Sequence, residues 1–330
     1  MFLAHHVSGR LLAGNSHPAL AGLLARELNM PLITPEVAEF ADGETRIHLA
    51  DDVRGANVFI VQPTCTPVND NLMILALLAD AASAAGAFQV TAIVPYFGYA
   101  RQDQRSRRGD PRSAQVAGRL FAAVGVNHLV TLDLHSPTLE SAMLMPVTLL
   151  HAEDVFVTRI KSCGVPDLIV VSPDAGGMKR AQRYAEALET SVAVIAKQRR
   201  EPDVAKALQV LGEVQDRPCL IVDDMASTGR TLASAADALR QAGAGDIYGI
   251  FTHAVLAPGA EDRLIAAKFK KLLTSDSIPV RSTPWLEVVP TAPLIAEAVR
   301  FLLGPRHPDS GKTSDVHEAQ PAPELEAAIL

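Results

Sequence analysis

Two adjacent carboxylates, Asp223 and Asp224, are followed within eight residues by Ser227, Thr228, Gly229, Arg230 and Thr231. A short turn with hydroxyl donors and free backbone N–H groups suits a phosphate. Carboxylates repel one, so the acid pair needs another partner, and vicinal sugar hydroxyls donate to carboxylates well. One stretch can therefore hold both ends of a sugar phosphate; the plainer alternative is a solvated acidic turn. A second cluster runs from Tyr96 to Arg108, with Arg101, Gln102 and Asp103 after three aromatics and four arginines in eight residues. Guanidinium groups and aromatic rings together can grip a nucleotide triphosphate by charge-assisted bonds and stacking, although charge runs are often only solvated loops.

Smaller groups recur at similar places. Ser172-Pro173-Asp174-Ala175-Gly176-Gly177 again puts a carboxylate beside glycines. Asp133-Leu134-His135 offers a histidine that is either a metal ligand or a satisfied buried side chain. Phe40-Ala41-Asp42-Gly43-Glu44 is a turn bearing an aromatic and two acids. Lys197-Gln198-Arg199-Arg200-Glu201-Pro202-Asp203 reads as a mobile charged segment or as the solvated face of a hairpin.

The elements that must carry these groups are strands ending where helices begin. Cys219 to Val222 reads as a buried parallel strand, followed by the acids, the turn and a helix from Leu232 to Ala242. Strands are likewise expected at Leu3–His6, Val58–Val61, Thr91–Pro95, His128–Leu132, Leu168–Val171, Val192–Ala196 and Asp246–His253, with alternation after Thr45 suggesting another. Helices are expected from Ser16 (as the cap) to Leu28, at Asn69–Ala85, Arg112–Val124, from Met178, and at Pro293–Leu303. In an open α/β sheet ligands bind at the carboxyl ends of strands, which is where the chemistry-bearing groups fall. Ala79-Asp80-Ala81 before Gly86-Ala87 matches Ala236-Asp237-Ala238 before Gly243-Ala244, so the halves look like two copies of one unit. The first copy has Gln62-Pro63-Thr64-Cys65 where the second has the acids, so only the second is expected to keep a sugar-phosphate site.

Composition bounds the function. The 330 residues suffice for two domains, and 48% apolar with 20% charged residues is ordinary for a globular chain. A formal net charge of −7 disfavours broad nucleic-acid binding. Three scattered cysteines, Cys65, Cys163 and Cys219, fit a reducing cytoplasmic setting. No signal peptide and no apolar run long enough for a bilayer is expected. The stretch 304–330, rich in Pro, Ser, Ala and charge, reads as a disordered tail.

Taken in order, the stretches at Phe40–Glu44, Pro95–Asp103, Asp133–His135, Ser172–Gly177, Lys197/Arg199 and Asp223–Thr231 resemble the motifs of the ribose-phosphate pyrophosphokinase family. The resemblance implies two type I phosphoribosyltransferase-like α/β domains in tandem, at 1–148 (joined by the final helix, 293–303) and 149–292. It implies transfer of the pyrophosphoryl group of ATP to the 1-hydroxyl of ribose 5-phosphate, feeding nucleotide biosynthesis. Asp223, Asp224, Ser227, Thr228, Gly229, Arg230 and Thr231 would bind ribose 5-phosphate. Arg101, Gln102 and Asp103 would contact ATP, with Phe40, Asp42 and Glu44 cradling adenine from a neighbouring subunit. His135 and Asp174 would bind or organise Mg²⁺, and Lys197 and Arg199 would close over the transferring group. A homo-oligomer, dimer-based and up to a hexamer, is implied, with neither nucleic acid nor membrane as partner. Arg230 departs from the family's usual glycine there, and Gln198 and Glu201 stand where basic residues are usual. Two rivals share this pattern: a non-catalytic subunit that assembles with a true synthase, and a phosphoribosyltransferase, towards which Arg230 leans.

Overall fold

The computed structural model describes residues 8–197 and 208–304. The expected strand at Leu3–His6, Arg199 with the rest of 198–207, and the tail from residue 305 lie outside them. In chain order the elements are β1 (Gly9–Ala13), α1 (Pro18–Leu28), β2 (Leu32–Ile33), β3 (Glu36–Glu39), β4 (Thr45–His48), β5 (Asn57–Val61), α2 (Val68–Ala84), β6 (Gln89–Val94), α3 (Ser113–Ala123), β7 (His128–Leu132) and β8 (Val147–Leu150). There follow α4 (Glu153–Lys161), β9 (Ile169–Ser172), α5 (Met178–Leu188), β10 (Val192–Lys197), β11 (Leu208–Leu211), β12 (Cys219–Met225), α6 (Arg230–Gln241), β13 (Ile247–His253), α7 (Ala260–Ala266), β14 (Lys271–Ser275), β15 (Leu286–Val289) and α8 (Ala292–Leu303). Of the described residues, those up to Leu150 together with those from Ala292 form one compact unit, and those between His151 and Thr291 the other.

The first unit is built on a parallel sheet in the order β2-β1-β5-β6-β7-β8, with β3 and β4 forming a separate antiparallel hairpin. Its inner strands are near-continuous apolar runs, such as Val58-Phe59-Ile60-Val61, because helices cover both faces and there is no solvent side to alternate with. The second unit repeats the plan in the order β11-β10-β9-β12-β13-β14-β15, parallel except for β11, which runs antiparallel to β10. The two expected repeats coincide with β5-α2-β6 and β12-α6-β13. Each helix is followed by a glycine with positive φ, Gly86 at +83° and Gly243 at +79°, which lets the chain leave the helix through the left-handed region.

Strand order decides where a ligand can sit. In the second unit the chain goes from β9 to β10 on one side, then returns to β12 on the other, so a crevice opens between the carboxyl ends of β9 and β12. The corresponding place in the first unit lies between β1 and β5, and there it is plugged. Gln62 is fully buried; its Oε1 accepts from the Ser16 hydroxyl at 2.8 Å and its Nε2 donates to Asn15 at 3.0 Å. A Cβ on Gly14 would lie 2.0 Å from that Oε1, so the loop closes directly on the amide. The same bonds displace one expectation: Ser16 is occupied by Gln62 and Pro63, and the cap of α1 is His17, whose Nδ1 accepts from the Leu20 N–H.

Candidate active site

β12 begins with four fully buried residues, Cys219 to Val222, and does not stop at the acids. It continues through Asp223 and Asp224 to Met225, with Asp223 opposite Phe251 and Met225 opposite His253 on β13. The carboxylates are thus held by the sheet rather than lying in the turn after it, which corrects the shorter strand expected from the apolar run. Asp224 is 5% exposed. Its N–H donates to Asp223 Oδ1 at 2.9 Å. Burial, and next the neighbouring Asp224 charge, push the Asp223 carboxyl up from 3.8 to about 8, against the pull of Arg180.

The turn after the acids is anchored through its carbonyls. Leu256 N–H donates to Ala226 O and Ala257 N–H to Ser227 O, both at 2.9 Å, and the Arg263 guanidinium donates to Thr228 O. Among the described residues, none accepts from the amides of Ser227, Thr228 or Gly229. Those of Arg230, Thr231 and Leu232 open α6 and have no carbonyl one turn back. The result is a run of unspent N–H groups at a helix N-terminus, carrying partial positive charge. Gly229 makes the geometry possible. Its φ is +69°, and a Cβ there would lie 3.0 Å from Leu264 Cγ and 3.2 Å from the Ala260 carbonyl. Ser227 is half-buried, while Thr228, Arg230 and Thr231 are exposed where a ligand would meet them.

Across the crevice, the Asp174 turn links β9 to α5. Ser172 Oγ donates to Asp174 O at 2.6 Å, and Gly177 N–H donates to Asp174 Oδ1 at 3.1 Å. From the first turn of α5, Arg180 extends to the acids: Nη1 is 3.5 Å from Asp223 Oδ1 and Nη2 is 3.9 Å from Asp224 Oδ2. Lys197 ends β10 opposite Leu208 of β11, so the chain leaves and re-enters the sheet at that pair. The structure therefore brings the acid pair, the Ser227–Thr231 turn and Asp174 to one end of one sheet.

In the first unit, Arg101, Gln102 and Asp103 follow β6. Gly98 packs directly on the loop after β5: its N–H donates to Thr64 Oγ1 at 2.6 Å, and a Cβ would lie 2.6 Å from Thr64 O. Gln102 Oε1 accepts from Ser113 Oγ at 2.5 Å at the start of α3. Asp103 Oδ2 accepts from Thr138 Oγ1 at 3.4 Å, which ties this loop to the segment after β7 that carries the exposed His135. Asp133, just before it, holds a φ of +37°, a strained position of the kind that gathers at functional sites. Phe40, Asp42 and Glu44 sit on the exposed tip of the β3–β4 hairpin, with Phe40 50% exposed. Among the described residues none of the three bonds to Arg101, Gln102 or Asp103. No group of three or more His, Cys, Asp or Glu side chains among the described residues could hold a metal ion by itself.

Sequence reasoning missed Arg180. Lys179 and Arg180 sit in a helix whose charges look like a solvated face, and only the closing of α5 over β9 and β12 turns the guanidinium towards the acids. No spacing rule along the chain reveals it.

Two family models match the chain: the N-terminal domain of ribose phosphate pyrophosphokinase over residues 9–125, and the phosphoribosyl transferase domain over residues 150–284. A ribose-phosphate pyrophosphokinase of Burkholderia pseudomallei is 38% identical over 300 residues, covering 89% of this chain and 94% of that protein. One from Bradyrhizobium diazoefficiens is 39% identical over 301 residues, covering 90% and 95%. Among solved structures, phosphoribosylpyrophosphate synthetase from Mycobacterium smegmatis superposes with a TM-score of 0.84 at 32% identity, covering 89% of this chain and 98% of that one.

Proposed function

This chain belongs to the ribose-phosphate pyrophosphokinase family, and we propose that the crevice between β9 and β12 is where its ribose 5-phosphate is held. The enzyme transfers the pyrophosphoryl group of ATP to the 1-hydroxyl of ribose 5-phosphate, giving phosphoribosyl pyrophosphate and AMP. The observation that carries the site is the pairing, on one strand–turn–helix, of a half-buried and a buried carboxylate with a run of unspent amides. Asp223 and Asp224 accept from the ring hydroxyls. The amides of Ser227 to Thr231, with the hydroxyls of Ser227, Thr228 and Thr231, take the 5-phosphate, and Arg230 adds a cation at the open side.

The remaining roles are those that the family resemblance implies, and the chemistry of the transfer agrees with them. The 1-hydroxyl oxygen bonds to the β-phosphorus as the bond from that phosphorus to the α,β-bridging oxygen breaks; AMP keeps the bridging oxygen and the hydroxyl proton is released. Such a transfer asks the protein for alignment and charge neutralisation. Lys197 and Arg199 supply positive charge to the transferring group. Arg101, Gln102 and Asp103 hold the nucleotide, on a loop fixed by Gly98 and Ser113. Phe40, Asp42 and Glu44, on the exposed tip of the β3–β4 hairpin, complete the adenine pocket of another subunit, as the family resemblance implies, and the working form is then a homo-oligomer, dimer-based and up to a hexamer.

The family's chemistry is of a kinase type, a class that generally needs a metal ion. The residues present fit Mg²⁺, which keeps several waters and is carried largely by substrate phosphates, so it needs no protein cage. His135 in the first unit and Asp174 in the second are each candidates to contact it, and the bound ion would neutralise triphosphate charge. None of the helices among the described residues is long and apolar enough to cross a membrane. A cytoplasmic enzyme that binds neither membrane nor nucleic acid agrees with the acidic net charge.

Calorimetric titration of ribose 5-phosphate into the wild type and into the Asp224→Asn and Thr228→Ala variants tests the site. Both variants should bind at least about tenfold more weakly, roughly the loss of one charge-assisted hydrogen bond. Unchanged affinity in both would place the sugar phosphate elsewhere.

A further inference from the structure

The most suggestive group outside the assigned roles is Arg180. It projects from the first turn of α5, with its side chain 15% exposed, into the space between the acid pair and the Asp174 turn. Its terminal nitrogens stand 3.5 Å from Asp223 and 3.9 Å from Asp224. Those distances lie within the range of an ion pair and beyond that of a good hydrogen bond. The arginine therefore supplies charge to both carboxylates without occupying the lone pairs that sugar hydroxyls would use. Among the described residues its guanidinium makes no other bond. The adjoining Gly177, whose missing Cβ would lie 3.8 Å from Nη1, brings the Asp174 turn close to the same group.

An adjacent pair of buried carboxylates cannot stay a pair of acceptors unaided. Two like charges taken out of water favour uptake of a proton by one of them, and a protonated acid offers a donor where the ligand needs an acceptor. The guanidinium opposes this: it pulls against burial and the Asp224 charge, which still prevail at Asp223 in the ligand-free protein, and so eases release of that proton when the ring hydroxyls bind. It is planar, permanently charged and long enough to face both acids at once.

We propose that Arg180 is a positioning residue for ribose 5-phosphate, facing Asp223 and Asp224 together and favouring the form of the pair in which both accept from the ring hydroxyls. This rests on the reading of the acid pair as the ribose site. Arg180 touches neither reacting atom; it acts through the acids. Its effect therefore falls on sugar recognition and leaves recognition of the nucleotide alone. Because it acts by charge rather than by directed hydrogen bonds, a lysine in its place retains much of the effect.

The experiment is steady-state kinetics on the full-length enzyme with Mg²⁺, varying each substrate in turn, for Arg180→Gln, Arg180→Lys, Asp223→Asn and the Arg180→Gln/Asp223→Asn double variant, with melting curves alongside. Arg180→Gln should raise the KM for ribose 5-phosphate by about tenfold or more, the scale of one charge-assisted interaction, and move the KM for ATP by less than about twofold. Arg180→Lys should recover most of the loss. With Asp223 already gone, removing Arg180 should cost markedly less than it does in the wild type, since coupled residues are non-additive. An unchanged KM for ribose 5-phosphate in Arg180→Gln, or equal rises for both substrates, would overturn the proposal. So would a lysine variant that raises the KM for ribose 5-phosphate by about tenfold or more over the wild type, a reading available even if Arg180→Gln melts too low to assay. If Asp223→Asn itself leaves that KM unchanged, the acid-pair site is what fails; if Asp223→Asn raises it and Arg180→Gln does not, only the role of Arg180 fails.

Discussion

Asp223→Asn should make the ligand-free protein more stable at neutral and mildly alkaline pH while impairing catalysis. Burial and the Asp224 charge raise the Asp223 carboxyl from 3.8 to about 8 in the folded protein. An acid whose folded pKa is raised contributes stability that is fully present below its unfolded pKa, about 3.9. That contribution is lost as pH rises through the folded value. Asparagine has nearly the shape of the protonated acid and does not titrate. Wild type and variant should therefore be about equally stable near pH 4 and diverge above it, the variant gaining. Each pH unit in the window can widen the gap by up to about 1.4 kcal/mol. Asp224 and Arg180 share the charge, so about 2–3 kcal/mol near pH 8 is the expected order rather than the full span. For a unit of this size that is roughly 5–10 °C in Tm. Melting curves of both proteins, without substrates, from about pH 5 to about pH 8 read this directly. A gap independent of pH, or a wild type more stable than the variant at the alkaline end, would refute the reasoning that the acid pair is strained for function.

Gly229→Ala forces a side chain into the left-handed region and against the Ala260 carbonyl. It should cost about 1–3 kcal/mol in thermal unfolding and raise the KM for ribose 5-phosphate more than that for ATP. Gly98→Ala meets Thr64 O at 2.6 Å and Val68 Cγ1 at 2.8 Å. Its damage should take the opposite sense, with the KM for ATP rising because the Arg101–Asp103 loop is displaced. Lys197→Ala should lower kcat at least about tenfold with the oligomer unchanged in sedimentation; a near-normal rate would remove Lys197 from the mechanism.

Much of this was legible along the chain because strands buried on both faces announce themselves as apolar runs, and the groups that follow them fall at the carboxyl edge of a parallel sheet. Asp223, Asp224 and the Ser227–Thr231 turn are contiguous, so their association needed no tertiary information. What was hidden depends on the fold. The apolar run ends at Val222, but β13 goes on pairing through His253, so the strand continues through residues whose polarity suggested its end. Ser16 has the right type for a helix cap, yet Gln62, distant in sequence, claims its hydroxyl. Arg180 is one charge among several on a polar helix until α5 is laid beside β12. The antiparallel β11 and the hairpin strand β3 are short, and half of β3 is exposed, so neither carries a clear period.

On the proposed reading, the acid pair on β12 holds the ribose whose 1-hydroxyl is pyrophosphorylated. Phosphorus NMR of the purified enzyme with Mg²⁺, ATP and ribose 5-phosphate, run beside the Asp223→Asn/Asp224→Asn double variant, tests it most directly. Phosphoribosyl pyrophosphate and AMP should appear in equal amounts with the wild type, and neither with the folded double variant. A double variant that forms the product at close to the wild-type rate would contradict it.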